Sequence, residues 1–173
     1  KLFLEINEDS FIFYIVDVQL TKKIYETQSP LIKSIENKNF FLEIDKTKTL
    51  VREKLIELEK KYNYSFNEVN IISNFTSSEN IRISGFKNMQ GSSISEEDVS
   101  FIISNIKKNI ILNEKNKTIL HIFNSNFFLD KKKVKKIPFN EKANFYGHEL
   151  SFILIQNQDL KNVRTICNHC DLK

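Results

Sequence analysis

The first candidate for chemistry in this sequence is the run Cys-Asn-His-Cys at Cys167–Cys170. Two cysteines at this spacing can act as a redox dithiol or contribute ligands to a zinc ion. A structural zinc site needs about four ligands, and His169 is the one further ligand type nearby in the sequence. The pair also falls at the end of a predicted helix, whereas redox dithiols precede their helix. We therefore expect a structural role for these thiols.

Two histidines and an acidic cluster are the other candidates. His121 lies in the strand-like run TILHIFNSNFFLD, and no serine, cysteine or carboxylate motif accompanies it at a defined spacing. His148 follows Gly147, either in a surface turn or at the start of the next strand. The acidic residues of Glu96–Asp98 begin a predicted helix, where the helix dipole accounts for them. None of these groups predicts an enzyme site.

Phosphate-binding loops need clustered glycines, because backbone N–H groups must approach the anion closely. The sequence holds three glycines, Gly85, Gly91 and Gly147, and none has a glycine neighbour at such a spacing. Neither a Rossmann fingerprint nor a Walker loop is present. We expect a protein that is not an enzyme and holds no cofactor of its own in these residues.

A basic tract, KKKVKK, follows the TILHIFNSNFFLD run. It can be a solvated loop, or it can contact a protein partner, a membrane surface or a nucleic acid. Few aromatic residues are interleaved with it, so a nucleic acid is not the first choice. The candidate interface residues are Lys131, Lys132, Lys133, Lys135 and Lys136.

The composition predicts a soluble globular protein. The chain has 173 residues, 40% of them hydrophobic and 28% charged, with a net charge of +4. No apolar run approaches the roughly 18 residues that span a bilayer, and no signal peptide is recognisable. Two cysteines are too few for a disulfide framework, which favours a reducing, cytoplasmic setting. The sequence opens inside a predicted strand without methionine, as a fragment would.

Hydrophobic periodicity predicts an α+β protein in two parts, residues 1–75 and 76–173, divided within the polar stretch Ser73–Asn80. The predicted strands are Leu2–Asn7, Phe11–Leu20, Phe40–Ile44, Val69–Ile72, Ile81–Phe86, Thr118–Leu129 and Glu149–Gln156. The predicted helices are Thr49–Tyr62, a helix that begins at Ser95 with a capping-box pattern, and Gln158–Cys170. The segment Thr21–Asn39 is loop-like, with room for one more short strand.

The segment Ile119–Asp130 resembles the cell-division protein FtsA, a family that commonly reads I-L-H-x-x-P-x-x-[YF]-x-[ILV]-D here. The family continues with a loop glycine, a central strand and a helix ending C-G-L. This chain supplies Gly147, Leu150–Ile155 and Leu160–Cys170 in that order. Upstream, Ser95–Val99 is similar to the family's V-[ST]-x-x-D-[IV] helix start.

The chain departs from the family pattern at two places. Asn124 replaces the proline, and Glu5-Ile6-Asn7-Glu8 stands where the family has its phosphate loop, D-I-G-[ST]. The family binds ATP with magnesium, but the glycine and the hydroxyl that serve the phosphates are replaced here. The departure favours a chain that does not bind nucleotide.

The resemblance implies a fold and a function. The fold would be a partial actin-like (ribonuclease H-like) subdomain 1A followed by an SHS2 subdomain 1C of strand–helix–strand–strand order. The function would be that of a divisome scaffold. Its partners would be FtsZ, later division proteins and further copies of itself, at the cytoplasmic face of the inner membrane at the division site. Any peripheral membrane contact would use parts outside these residues.

Two alternative functions remain open from the sequence. One is an SHS2-type pilus-assembly protein or another adaptor. The other is a nucleic-acid-binding domain that uses the lysine tract.

Overall fold

The structure is a computed structural model that describes residues 1–7, 10–30, 44–73 and 78–173. It divides into two compact units, Lys1–Thr76 together with Gln158–Lys173, and Ser77–Asn157. Glu8, from the position of the family's phosphate loop, lies outside the described residues. So does the predicted strand Phe40–Ile44 except for Ile44, which begins a helix instead.

The first unit contains a four-stranded sheet of order β3-β2-β1-β4. Its elements are β1 (Leu2–Ile6), β2 (Ser10–Asp17), β3 (Lys22–Pro30), α1 (Ile44–Tyr62) and β4 (Asn70–Ser73). Strands β1 to β3 pair antiparallel, whereas β4 pairs parallel to β1. A parallel partner requires a crossover connection, and α1 lies in that connection.

The core of the first unit follows from alternation along β1, where Leu2, Leu4 and Ile6 are buried. The last helix, α3 (Asn157–His169), contributes Val163 and Ile166 to the same core. The structure therefore differs from the predicted division into residues 1–75 and 76–173, because the apolar side of α3 packs in the first unit. The other buried members of this core are Phe11, Phe13, Ile15, Val51, Leu55, Leu58, Cys170 and Leu172.

The second unit contains an antiparallel sheet of order β5-β8-β6-β7. Its elements are β5 (Glu79–Asn88), α2 (Glu96–Asn113), β6 (Lys117–Leu129), β7 (Lys132–Val134) and β8 (Phe145–Gln156). The order strand, helix, strand, strand is the predicted one. The short β7 is an addition, formed by part of the lysine tract that the sequence assigned to a loop.

Helix α2 begins as its sequence predicts, at a capping box in which Ser95 and Asp98 satisfy each other's backbone N–H groups. Its apolar stripe packs on one face of the sheet, with Ile102 and Ile106 against Gly85. A Cβ at Gly85 would lie 2.5 Å from Ile102 Cγ2, so the glycine allows the helix to approach the strand closely. Among the described residues, no helix has an apolar stretch long enough to cross a membrane.

A candidate partner-binding face on the second sheet

The Cys167–Cys170 pair lies in the core of the first unit. Cys170 is 5% exposed, and burial raises the pKa of its thiol to about 11. Burial also raises the pKa of Cys167. Thiols held protonated are poor nucleophiles and poor metal ligands. Within the described residues, no group of three or more histidine, cysteine or acidic side chains is placed to hold a metal ion. The geometry therefore gives this pair a packing role.

The two histidines of the second sheet have opposite environments. His121 is exposed on β6, and its ring centroid lies 5.9 Å from that of Phe123. His148 is fully buried on β8, where its Nε2 lies 2.9 Å from Asn124 Oδ1. Burial lowers the pKa of His148. Among the residues that the structure describes, neither ring lies in a cluster that could activate a nucleophile.

The acidic start of α2 is structural. Lys87 Nζ donates a hydrogen bond to Asp98 Oδ1 over 2.5 Å, and Ser95 donates to the other carboxylate oxygen from its backbone N–H and its hydroxyl. The lysine first, and then the serine, lower the pKa of Asp98 to about 2. This carboxylate is fully occupied in capping the helix and pairing with Lys87.

The hairpin between β1 and β2 is the place that the FtsA resemblance assigns to phosphate. Here Tyr14 donates from its hydroxyl to Glu5 Oε2 over 2.5 Å, and Asn7 Nδ2 donates to Glu5 Oε1 over 3.1 Å. The hydrogen bond to Glu5 is the main cause that raises the pKa of Tyr14 to about 12. The Glu5 carboxylate is thus fixed in this hairpin, where its negative charge would repel a phosphate.

The lysine tract forms the β6–β7 hairpin and the segment after β7. Leu129 pairs with Lys132, so Asp130 and Lys131 form a two-residue turn, and both have positive φ, 43° and 73°. Positive φ at both central residues is typical of a type I′ turn. All five lysines are exposed, and none forms an ion pair with another residue that the structure describes.

The opposite face of the second sheet from α2 carries exposed aromatic side chains. Directly paired residues share a face of an antiparallel sheet. One row of pairs crosses all four strands through Phe86, Gly147, Phe128 and Lys133. On the same face, Phe145 is 49% exposed and Phe86 is 66% exposed. Exposed aromatic clusters of this kind mark interaction sites in soluble proteins.

Gly147 shapes this face. A Cβ there would lie 2.7 Å from Cε1 of the Phe86 ring and 3.2 Å from Phe128 Cβ. Because the glycine has no side chain, the Phe86 ring can lie across the β8 backbone. The result is a pocket of about 470 Å³, which we call the aromatic pocket. Its lining residues are Ser84, Phe86, Phe128, Lys131, Phe145 and Gly147.

Asp130 connects the β6–β7 hairpin to the aromatic pocket. Its Oδ1 accepts hydrogen bonds from the backbone N–H groups of Asn144 and Phe145, over 2.9 and 2.8 Å. This contact ties the turn to the start of β8 and places Lys131 beside Phe145. Of the predicted interface residues, Lys131 lines the pocket and Lys133 shares its face through the pair with Phe128. Lys132, Lys135 and Lys136 are exposed but do not line the pocket.

The sequence interpretation missed Phe86, Phe128 and Phe145 as site residues. A signal was present in the alternation of side chains along β5. Ile81 and Ile83 share one face with Gly85, whereas Phe86 lies on the other face. An aromatic residue on the solvent-facing side of a strand is not buried in the core, and it indicates a surface that a partner can cover.

Comparisons with known proteins identify the fold. No family model and no curated protein matches the sequence. A solved structure described as the "PilM-PilN type IV pilus biogenesis complex" superposes with a TM-score of 0.59 at 8% identity. The match covers 99% of this chain and 44% of that chain, so this chain spans less than half of that relative.

A second match is the cytoplasmic domain of EpsL, an inner membrane component of the type II secretion system of Vibrio cholerae. Its TM-score is 0.47 at 10% identity, and the match covers 99% of this chain and 54% of that chain. By their descriptions, both proteins are components of multi-protein assemblies.

The predicted fold class is confirmed. The chain is an α+β protein with two sheets and three helices among its described residues, and the fold is shared with the PilM–PilN structure. The first unit has the three antiparallel strands, helix and parallel strand of an actin-like subdomain. The second unit has the strand–helix–strand–strand order of an SHS2 subdomain. The finer assignment to FtsA stays a prediction.

Proposed function

We propose that this protein is an adaptor, which acts by binding another protein within a multi-protein assembly at the cytoplasmic face of an inner membrane. The observation that carries the proposal is the aromatic pocket on the uncovered face of the second sheet, around Gly147. An apolar concavity with a few polar groups at its rim is the usual form of a recognition site. The fold shared with a pilus biogenesis complex supports a pilus-assembly type of adaptor.

The chemistry of the remaining candidates supports a function in binding and not in catalysis. Cys170 is buried and Cys167 is partly buried, His148 faces the core, and the carboxylate of Asp98 caps a helix. We infer that this chain is not an enzyme and that it does not use a nucleotide, because Glu5 occupies the hairpin that would receive phosphate.

A second candidate function is a division scaffold like FtsA, which binds FtsZ, later division proteins and further copies of itself. Its support is the ordered set of motifs from Ser95 to Cys170, including the Ile119–His121 run. In both candidates the protein works by protein–protein contact, and the identity of the partner separates them.

Site-specific photo-crosslinking in the native cell tests the proposal. The photoreactive residue p-benzoylphenylalanine replaces Phe145 on the pocket face. The matched control is the same replacement at Phe101, which is 52% exposed on α2. We expect crosslinks from position 145 to a component of a pilus or secretion assembly, identified by mass spectrometry, and none from position 101.

Each outcome of the crosslinking has a clear meaning. Crosslinks from position 145 to FtsZ or later division proteins would support the second candidate. Crosslinks from position 101 alone, or no protein captured from either position, would contradict a binding role for the pocket face.

A further inference from the structure

We propose that the aromatic pocket receives one apolar side chain of an acidic peptide segment, whose carboxylates meet Lys131 and Lys133 of the β6–β7 hairpin. The proposal rests on the proposed adaptor function and adds the chemistry of the partner segment. It concerns residues of the second unit alone.

The apolar part of the partner follows from the lining of the pocket. Three phenylalanine rings surround the backbone of Gly147, and Phe86 and Phe145 keep much of their surface in water. Covering these rings on binding is favourable because it removes apolar surface from water. A volume of about 470 Å³ lies within the range of pockets that hold compact ligands. The pocket can therefore receive a leucine- or phenylalanine-sized side chain, which is the anchor of the proposed segment.

The acidic part follows from the charges at one end of the pocket. Lys131 lines the pocket, and Lys133 lies on the same face beside Phe128. Neither lysine forms an ion pair with a described residue. Asp130, the acidic residue of the same turn, accepts hydrogen bonds through its Oδ1 from the backbone N–H groups of Asn144 and Phe145. The hairpin thus offers positive charges with no partner among the described residues, and these complement carboxylates.

Glu149 gives the site a direction. It lies two residues after Gly147 on β8, on the pocket face, and accepts a hydrogen bond from Asn126 Nδ2 over 2.5 Å. Lys131 therefore lies at the Phe145 end of the pocket, whereas at the other end the Glu149 carboxylate is followed by exposed Arg82, which shares the face through its pair with Ser151. The acidic residues of a bound segment would point to the hairpin.

The same arrangement favours a peptide over a nucleic acid. A nucleic acid strand carries phosphates at every step along its backbone, and some of them would pass Glu149. The rings of the pocket surround one glycine, and the next exposed ring of this face, Phe123, lies beyond Glu149 in the row of Ser151. Platforms for single strands present successive rings for successive bases. A peptide can place its charges on one side of its anchor.

Binding measurements with the purified chain and synthetic probes test the proposal. The first probe is a fluorescent peptide with one leucine followed by alternating glutamate and glycine. The second probe has glycine in place of the leucine, and the third has lysine in place of every glutamate. The fourth is a single-stranded oligothymidylate. We expect the first peptide to bind roughly tenfold or more tightly than the other three probes, an affinity ratio worth about 1.4 kcal/mol, and to weaken as salt is added.

Charge reversal locates the interaction on the hairpin. The double variant Lys131→Glu, Lys133→Glu should lose roughly tenfold or more in affinity for the first peptide. The matched control is Lys107→Glu, Lys108→Glu, which makes the same change of charge on α2 and should leave the affinity unchanged. Circular dichroism of both variants checks that each is folded.

The outcomes separate this inference from the proposed function. Tighter binding of the oligonucleotide, equal binding of the peptide without leucine, or no binding of any probe would overturn the acidic-segment proposal. Equal losses in the hairpin variant and the α2 variant would overturn it too. If crosslinking at position 145 still captures an assembly protein, the adaptor function stands and only the chemistry of its partner is wrong.

Discussion

His148 shows how strongly position decides the chemistry of a single residue. It is fully buried on the face of the second sheet that α2 packs against, and among the described residues its Nδ1 and the hydroxyl of Tyr146 have no hydrogen-bond partner. Burial lowers the pKa of His148 and raises that of Tyr146 to about 12. Both rings are therefore held neutral in the folded protein near neutral pH.

The buried histidine predicts a pH dependence of stability. Its pKa in the folded protein lies below the unfolded value of about 6.5. Below that pH, His148 therefore binds a proton more readily in the unfolded chain than in the folded one. The free energy of unfolding should fall as the pH decreases from 6.5, by at most about 1.4 kcal/mol per pH unit. Denaturant unfolding at a series of pH values measures this slope.

Substitution assigns that slope to one residue. His148→Gln should reduce the pH dependence below pH 6.5, whatever it does to stability at neutral pH. His121→Gln, which removes an exposed ring from the same sheet, is the control variant. An unchanged slope in the His148 variant would contradict the assignment.

At the scale of elements, the β6–β7 hairpin combines local strain with an exposed charge. Lys131 has φ of 73°, a conformation that costs a non-glycine residue about 1 kcal/mol or more. A glycine would fit this turn with less strain. The lysine therefore occupies a position where stability alone would favour glycine, and its place at the rim of the aromatic pocket is consistent with a role in binding.

The hairpin strain predicts opposite effects for two neighbouring lysines. Lys131→Gly should raise the free energy of unfolding by up to about 1 kcal/mol, because the strain is relieved. Lys132→Gly makes the same change of charge within β7 and should lower it by about 0.5–1 kcal/mol. Thermal and denaturant unfolding measure both, and a loss of stability in the Lys131 variant would show that the turn is unstrained.

The local signals of the elements explain which parts of the fold could be predicted from the sequence. Helix α2 has an apolar stripe and a cap at Ser95, and both act within a few residues. The strand β7 could not be predicted, since Lys132–Val134 is extended because it pairs with Phe127–Leu129 and not through its own propensity. The aromatic pocket depends on Phe86 and Phe145, which meet only when β5 and β8 pair.

At the scale of the whole molecule, the shared fold occurs here together with a first hairpin that has no glycine. The fold is that of the PilM–PilN structure, while the hairpin after β1 holds Glu5 between Tyr14 and Asn7. The three glycines lie in the second unit, at Gly85, Gly91 and Gly147. The chain thus has the fold without a glycine in its first hairpin.

This pattern predicts that the chain does not bind magnesium–ATP at micromolar concentrations. Isothermal titration calorimetry should show no saturable heat, because a fixed carboxylate and a hairpin without glycine oppose phosphate binding. Glu5→Gln should not restore binding, since removing one charge supplies no donor loop. A micromolar dissociation constant for the unaltered chain would contradict the prediction.

The register of β5 and β8 has a consequence for how such a protein can change over time. Glu79, at the start of β5, pairs with Leu154 near the end of β8, and neighbouring strands lie about 4.8 Å apart. The chain therefore begins and finishes the second unit at nearly the same point. Segments with adjoining ends are readily inserted into a host chain or replaced in it as one piece. A lineage could exchange the whole second unit while the β1–β4 sheet and α3 kept their own hydrogen bonds and core.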